Sequence, residues 1–378
     1  LDKARTMQRN FVARYLSDKQ GDAAIVAFTS PDAEDWRFSL IKMDLGFKKT
    51  DTGIKVKQEF TPAKRWSFLV GENENSHTAQ SQLVGILAND EDEPTLDELE
   101  QAFSIETVTN EFYEKYTDLF LRMKEALDTL LENDSQLKTD FKEKDVDTVD
   151  FAKKTMGQMA FLYFLQKKGW FGVKADKEWG TGVKNFLREV FERREKYEEN
   201  FFDDVLEPLF YKALAQDRSD KNDIYSELNG CRMPFLNGGL FEPMNGYSWS
   251  DTHIRLPDEL FSNDIKTKEG DIGDGILDVF DRYNFTVNES EPLEQEVAVD
   301  PEMLGKVFEN LLEIKDRKSK GAFYTPREIV HYMCQESLIN YLETETNSLI
   351  PKVDIESFIQ QGSQIIQNDK SIIEQGGD

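Results

Sequence analysis

"FAKKTMGQMAFLYFLQKKGW", residues 151–170, decides the fold. It opens amphipathic, with Lys153 and Lys154 among apolar neighbours, and from Met159 to Leu165 every residue is apolar or aromatic. A helix that is apolar on all sides has to be covered on all sides. The stretch therefore predicts a central buried helix with others packed around it. Upstream, Val108, Phe112, Tyr116, Leu119, Phe120, Met123, Leu127, Leu130 and Leu131 recur at helical spacing. Downstream, Phe186, Leu187, Val190, Phe191, Arg194 and Tyr197 lie along one stripe of a third helix. Met and Phe stripes of this kind are core more often than cofactor boxes.

Outward from this body the period changes. "MQRNFVARYL" (7–16) suits a short helix, and "AAIVAFTS" (23–30), "WRFSLIKMDL" (36–45) and "RWSFLVGE" (65–72) are β-branched or aromatic runs bounded by turn residues. Phe38, Leu40 and Lys42 alternate with Arg37, Ser39 and Ile41, an imperfect two-residue period. The expected fold class is mainly α with a smaller N-terminal α/β domain built on an antiparallel sheet. The expected division is 1–90 small α/β domain, 91–215 helical connector, 216–298 Gly/Pro-rich loops and short helices, 299–345 a further helical segment, and 346–378 polar tail or linker. "NDEDEP" (89–94) reads as a solvated connector. "GDIGDGILDVF" (270–280) is a turn before a helix rather than a phosphate loop. It lacks the glycine spacing, and Asp271 and Asp274 would repel phosphate. "DPEMLGKVFENLLEI" (300–314) is a helix with Asp300 as its N-cap and Pro301 in the first turn.

Composition narrows the classes. The 378 residues suffice for two or three domains, and 39% apolar with 12% aromatic content favours packed cores. Net charge is −27, so nucleic acid is repelled at long range and any DNA contact has to be local. Cys231 and Cys334 match no metal spacing, and three histidines, His77, His253 and His331, argue against zinc. A reduced, cytosolic setting fits this cysteine usage. No run of 18 apolar residues is present, so no membrane partner is expected. The start at Leu1 rather than Met reads as a piece of a longer protein.

The densest cationic run is "KDRKSK" (315–320), with Lys315, Arg317, Lys318 and Lys320, and "GAFYTPREIVHYM" (321–333) follows it. Thr325-Pro326-Arg327-Glu328 forms a capping box with Pro at the first helical position. Ile329, Val330, Met333, Cys334, Leu338 and Tyr341 are then expected to face a core. A basic surface loop before a capped helix accounts for all of this. A sharper reading gives Phe323 and Tyr324 a stacking role and the helix N-terminus a carboxylate, as an aromatic base with an amino-acid end requires. Spacing leaves both readings open.

"GAFYTPREIVHYM" resembles the aromatic–Tyr-Thr-Pro element, motif X, that precedes the cofactor-binding core of adenine-specific DNA methyltransferases. The same arrangement occurs in Type I modification subunits and in Type IIG enzymes, which fuse methyltransferase and endonuclease. Residues 61–83, 103–116, 234–243 and 283–312 also resemble the larger fused proteins, most specifically over 283–333. The resemblance implies that 299–345 begins a methyltransferase domain. It implies S-adenosylmethionine as cofactor, framed by Phe323, Tyr324, Thr325 and Pro326, with Gly321 and Ala322 setting the approach. It implies double-stranded DNA as partner, through the parent protein, and a divalent metal, magnesium, for a nuclease elsewhere in that parent.

Neither an Asp-Pro-x-x-Gly-x-Gly loop nor an Asn-Pro-Pro-Tyr box occurs in the chain. Both follow motif X in the family, so catalytic residues are expected beyond residue 378, together with the remaining methyltransferase core and a recognition domain. A metal-dependent nuclease site is not legible in 1–90. Asp44 has no following Glu-x-Lys, and after Glu59 the needed Lys is replaced by Thr61. A docking or DNA-backbone module suits that region better, with Lys64, Arg65 and Trp66 as its best basic-aromatic patch. The alternative from another class is a non-catalytic acidic helical scaffold.

Overall fold

Two helices hold the molecule's main body together, and both follow from their apolar spacing. The protein is described by a computed structural model. It covers residues 5–359 except 32, 44–47, 51–52, 56–62, 90, 194–199, 220–222, 228–229, 237, 287–292, 302, 304, 306–326 and 347–348. The chain divides into two units, Leu1–Leu304 and Gly305–Asp378.

In the first unit, α1 (Arg5–Lys19) precedes β1 (Ala23–Ser30) and β2 (Ala33–Lys42). A separate two-stranded ribbon, β3 (Lys48–Thr50) and β4 (Gly53–Lys55), comes next, and then β5 (Lys64–Gly71). The helices α2 (His77–Leu87), α3 (Leu96–Ala102), α4 (Ile105–Asn133), α5 (Ser135–Glu143), α6 (Thr148–Lys167) and α7 (Phe186–Arg193) follow. The later part of the unit has two short strands, β6 (Ile224–Tyr225) and β7 (Cys231–Arg232), the helix α8 (Ile276–Arg282), and β8 (Glu294–Glu296). The fold is mostly helical with an N-terminal sheet, as the sequence implies.

The strands read from the sequence form an antiparallel core in the order β1-β2-β5. A fourth strand makes the sheet mixed. β8 joins β5 in parallel, pairing Arg65 with Glu294 and Ser67 with Glu296. The bonds Arg65 N to Leu293 O (2.9 Å) and Val297 N to Ser67 O (2.8 Å) extend this pairing. Only distant chain return makes a parallel neighbour possible, so local period could not show it.

α6 is buried along most of its length, including Met156, Met159, Ala160 and Leu162 at 0% exposure, though Phe161 is 38% exposed rather than covered as the apolar run implied. It starts at Asp147, whose carboxylate accepts the amides of Val149 and Asp150. Facing it, α4 buries Val108, Phe112, Tyr116, Leu119, Phe120, Met123 and Leu127. The core between them is aromatic. Phe112 meets Phe280, Tyr283 and Phe285 at 5.6, 5.1 and 5.9 Å, and Tyr163 meets Phe280 and Phe285 at 5.1 Å each. Such pairs add about 0.5–1.5 kcal/mol each beyond their buried area. The segment 270–280 is a turn into α8, as read, and Ile276, Leu277 and Phe280 are buried.

Asp300 caps a helical start, its carboxylate accepting the Met303 amide at 2.7 Å. The rest of 300–314 lies outside the described residues from 306 on. In the second unit α9 (Arg327–Glu345) is a nineteen-residue helix. Residues 352–359 are also helical, where a polar tail is expected, with Ile355 buried.

Candidate functional site

The residues that the sequence nominates for cofactor contact, Gly321, Ala322, Phe323, Tyr324, Thr325 and Pro326, lie outside the described residues. So do the nominated DNA contacts Lys315, Arg317, Lys318 and Lys320. Their neighbourhood is seen through α9, whose first residue, Arg327, directly follows Pro326. The N-terminal end of α9 carries the positive end of the helix macrodipole.

The apolar face of α9 corrects an expectation. Ile329, Val330, Met333, Leu338 and Tyr341 are exposed at 50, 43, 57, 46 and 60%, and Cys334 is exposed too. Among the residues of this helix whose side chains are described, Ile339 is the buried one. A lone helix cannot cover its own stripe, and this face needs a partner element.

The expected basic-aromatic patch is also corrected. Arg65 is not on the surface. It is 2% exposed, as are Arg9 on α1 and Arg37 on β2. The Arg65 guanidinium donates from Nε to Ser39 Oγ (3.1 Å) and Ser67 Oγ (3.0 Å), and from Nη1 to Gln8 Oε1 (3.1 Å). It also lies 4.3 Å over the Phe28 ring. Burial lowers its pKa to about 10, with Glu294 opposing and Arg37, Arg5 and Arg9 adding to the fall. It stays charged at neutral pH.

Glu296 accepts from Arg37 Nη1 at 3.0 Å, and Glu294 pairs with Arg9 Nη1 at 3.1 Å. Both carboxylates of β8 are thus engaged by guanidinium groups. Chemically the cluster is a buried charge lattice that pins β8 to the sheet. The signal was present as Arg37 and Ser39 in a strand and as the alternation of "EQEVAV" (294–299), but only the fold pairs them. Asp44, Glu59 and Thr61, weighed for a nuclease, lie outside the described residues. Among the described residues no group of three or more His, Cys, Asp or Glu is gathered to hold a metal ion.

Two further polar clusters escaped the sequence reading. His77 Nε2 lies 3.2 Å from both carboxylate oxygens of Asp271, beside Lys115–Glu269 at 3.1 Å and the Tyr283 hydroxyl donating to Glu111 at 2.9 Å. They line a cavity of about 400 Å³. Deeper in the unit, π-helical turns at Phe202–Leu206 and Leu209–Leu214 flank Glu207, which is 0% exposed. The Tyr247 hydroxyl donates to Glu207 Oε1 at 2.5 Å. Burial, with Asp203 adding to it, holds the Glu207 carboxyl well above the usual range despite that bond. His253 Nδ1 sits 3.0 Å from Asp203. Helical spacing gives no warning of these partners, because they converge from 40 or more residues away.

No family model and no solved structure matches the chain. A protein of Methanocaldococcus jannaschii, provisionally named a type II restriction enzyme and methyltransferase, is 29% identical over 253 residues. The match covers 62% of this chain and 19% of that protein's length, so the relation is distant and reaches a minor part of the relative. No helix among the described residues is long and apolar enough to cross a membrane.

Proposed function

We propose that this chain is the N-terminal and central part of a Type IIG-like restriction–modification protein that methylates adenine N6 in duplex DNA. One observation carries the reading. A relative named for restriction and methyltransferase activity matches over 253 residues of a chain that also holds the motif X-like "GAFYTP".

In this reading the chain supplies one wall of the pocket for S-adenosylmethionine, which donates the methyl group when bound. Phe323 and Tyr324 would offer a stacking surface for its aromatic base, and Thr325 and Pro326 would frame the loop. The positive dipole end at the start of α9 would favour the carboxylate of its amino-acid portion. The catalytic box, the recognition domain and the magnesium-dependent nuclease lie in the remainder of the protein. The target adenine has to leave the base stack to be reached. The helices of 91–215 hold the modules at fixed spacing, because α4 and α6 are packed rather than hinged.

The test is expression of the full-length gene product in a host without adenine methylation. N6-methyladenine in one short sequence context of the host DNA is the expected result. Absence of the modified base overturns the reading.

A further inference from the structure

A cavity of about 330 Å³ lies where the loop after β5, the end of α6, the start of α7 and the end of α8 meet. Its volume is at the lower end of the range for small-molecule sites, about 300–1,000 Å³. All its lining residues belong to the first unit. Tyr163, Phe280, Tyr283 and Phe285 give it an apolar wall, and all four are buried.

Two amides of the lining have unused ends. Gln166 is 5% exposed, and its Oε1 accepts the Leu187 amide at 3.2 Å. That bond fixes which end of the amide is the free one, and Nε2 has no partner among the described residues. Asn284 is 8% exposed, and its Nδ2 donates to Leu69 O at 2.8 Å. Its Oδ1 likewise has no partner among the described residues. Neither atom is shut off from solvent inside the protein. Polar groups on side chains this buried are ordinarily bonded. Here a donor and an acceptor are left over in one cavity.

The charge of the lining runs against the −27 of the chain. Lys167, Lys184 and Arg188 stand there against Glu74 and Asp281. Arg188 is engaged by Asp281, Ser262 and Asp278, and Lys167 is held by Glu74. Lys184 differs from both. Its side chain is 48% exposed, and it meets the already paired Glu74 only at 3.9 Å. It can take a ligand's anionic group without opening a short ion pair.

We propose that this cavity binds a free mononucleotide, with the base against the aromatic wall and the phosphate on Lys184. Gln166 Nε2 donates to an acceptor of the base, and an N–H of the base donates to Asn284 Oδ1. Nucleobases present such acceptors and donors side by side on their pairing edge. A lysine serves a phosphate as a point charge. A DNA strand suits the site less well, because an acidic chain repels a polyanion at long range while a mononucleotide meets the local cations. The assignment uses no residue of 321–326 and stands apart from the methyltransferase reading.

The test is calorimetric titration of the 378-residue chain with AMP, GMP, CMP and UMP and with the matching nucleosides. Saturable binding of at least one nucleotide is expected, with its nucleoside weaker by about fivefold or more. Lys184→Gln should bring the nucleotide to the level of its nucleoside and leave the nucleoside unchanged. Gln166→Met removes the open donor and should weaken both by about fivefold or more. If Gln166→Met lowers the melting temperature, Lys184→Gln, made on a half-exposed side chain, decides alone.

No saturable binding of any nucleotide at millimolar concentration overturns the proposal. So does binding that Lys184→Gln leaves unchanged, which puts the nucleotide elsewhere. Equal weakening of nucleotide and nucleoside by Lys184→Gln overturns the place of the phosphate. A 5′-phosphorylated single strand that binds more tightly than every mononucleotide, and loses that advantage in Lys184→Gln, overturns the free nucleotide in favour of a strand end.

Discussion

Helices α4 and α9 carry apolar stripes of similar kind, yet their surroundings differ. On α4, Val108, Phe112, Tyr116, Met123 and Leu127 reach 0% exposure. On α9, Ile329, Met333 and Tyr341 remain half exposed or more. Both stripes state a demand for a partner. α4 finds its partners, α6, α8 and Phe285, within its own unit, whereas none of the described residues covers the stripe of α9. A stripe thus reports that a face will be covered and says nothing about which segment covers it.

The contrast can be broken first at its strong end. Phe112→Ala removes the ring at the centre of four aromatic contacts, to Tyr116, Phe280, Tyr283 and Phe285. Urea unfolding should show a loss of about 3–5 kcal/mol. A loss below about 1 kcal/mol, the size of an ordinary surface substitution, would mean that this core is not as packed as described. Glu296→Ala should cost about 3 kcal/mol by leaving the Arg37 guanidinium buried without its carboxylate. Amide exchange should then rise first in β8, and uniform exchange across the sheet would contradict the pinning role.

A pH experiment sharpens the same side. The Glu207 carboxyl is raised above its unfolded value by burial. The folded state therefore holds this proton more tightly than the unfolded chain does. The stabilisation is complete below the unfolded pKa of about 4.5 and is lost as pH rises towards the folded value. Glu207→Gln keeps the shape and removes the titration, so its stability should fall less than wild type's between mildly acidic and mildly alkaline pH. Parallel curves would show that Glu207 is not the source.

At the weak end, Met333→Ser and Leu338→Ser should each change the stability of this chain by less than about 0.5 kcal/mol, as exposed positions do. In the full-length gene product the same changes should lower the melting temperature clearly, if a further segment covers this face. Equal, small effects in both would remove the contrast with α4.

Much of the fold was legible because local period is a direct record of burial. The stripes of 108–127 and 151–165 name α4 and α6, and β1 matches its sequence run residue for residue. What was not legible depends on distant return of the chain. β8 enters beside β5 from more than 200 residues away, and it carries the carboxylates that pair with Arg37 and Arg9 in the buried sheet. Arg65 was misread for the same reason, since a basic residue at a strand end looks exposed until its cover is known. The proposed cofactor wall is legible only as the motif at 321–326, because contacts assembled from separated segments leave no periodic trace in any one of them.

The most direct test of the central claim is calorimetric titration of S-adenosylmethionine into the full-length gene product, with and without Phe323→Ala/Tyr324→Ala. Loss of the stacking wall should weaken binding about tenfold or more, equal to about 1.4 kcal/mol, with the melting temperature of the unliganded protein unchanged. Cofactor affinity that is the same in the double variant would contradict the assignment of Phe323 to Pro326 as part of the pocket.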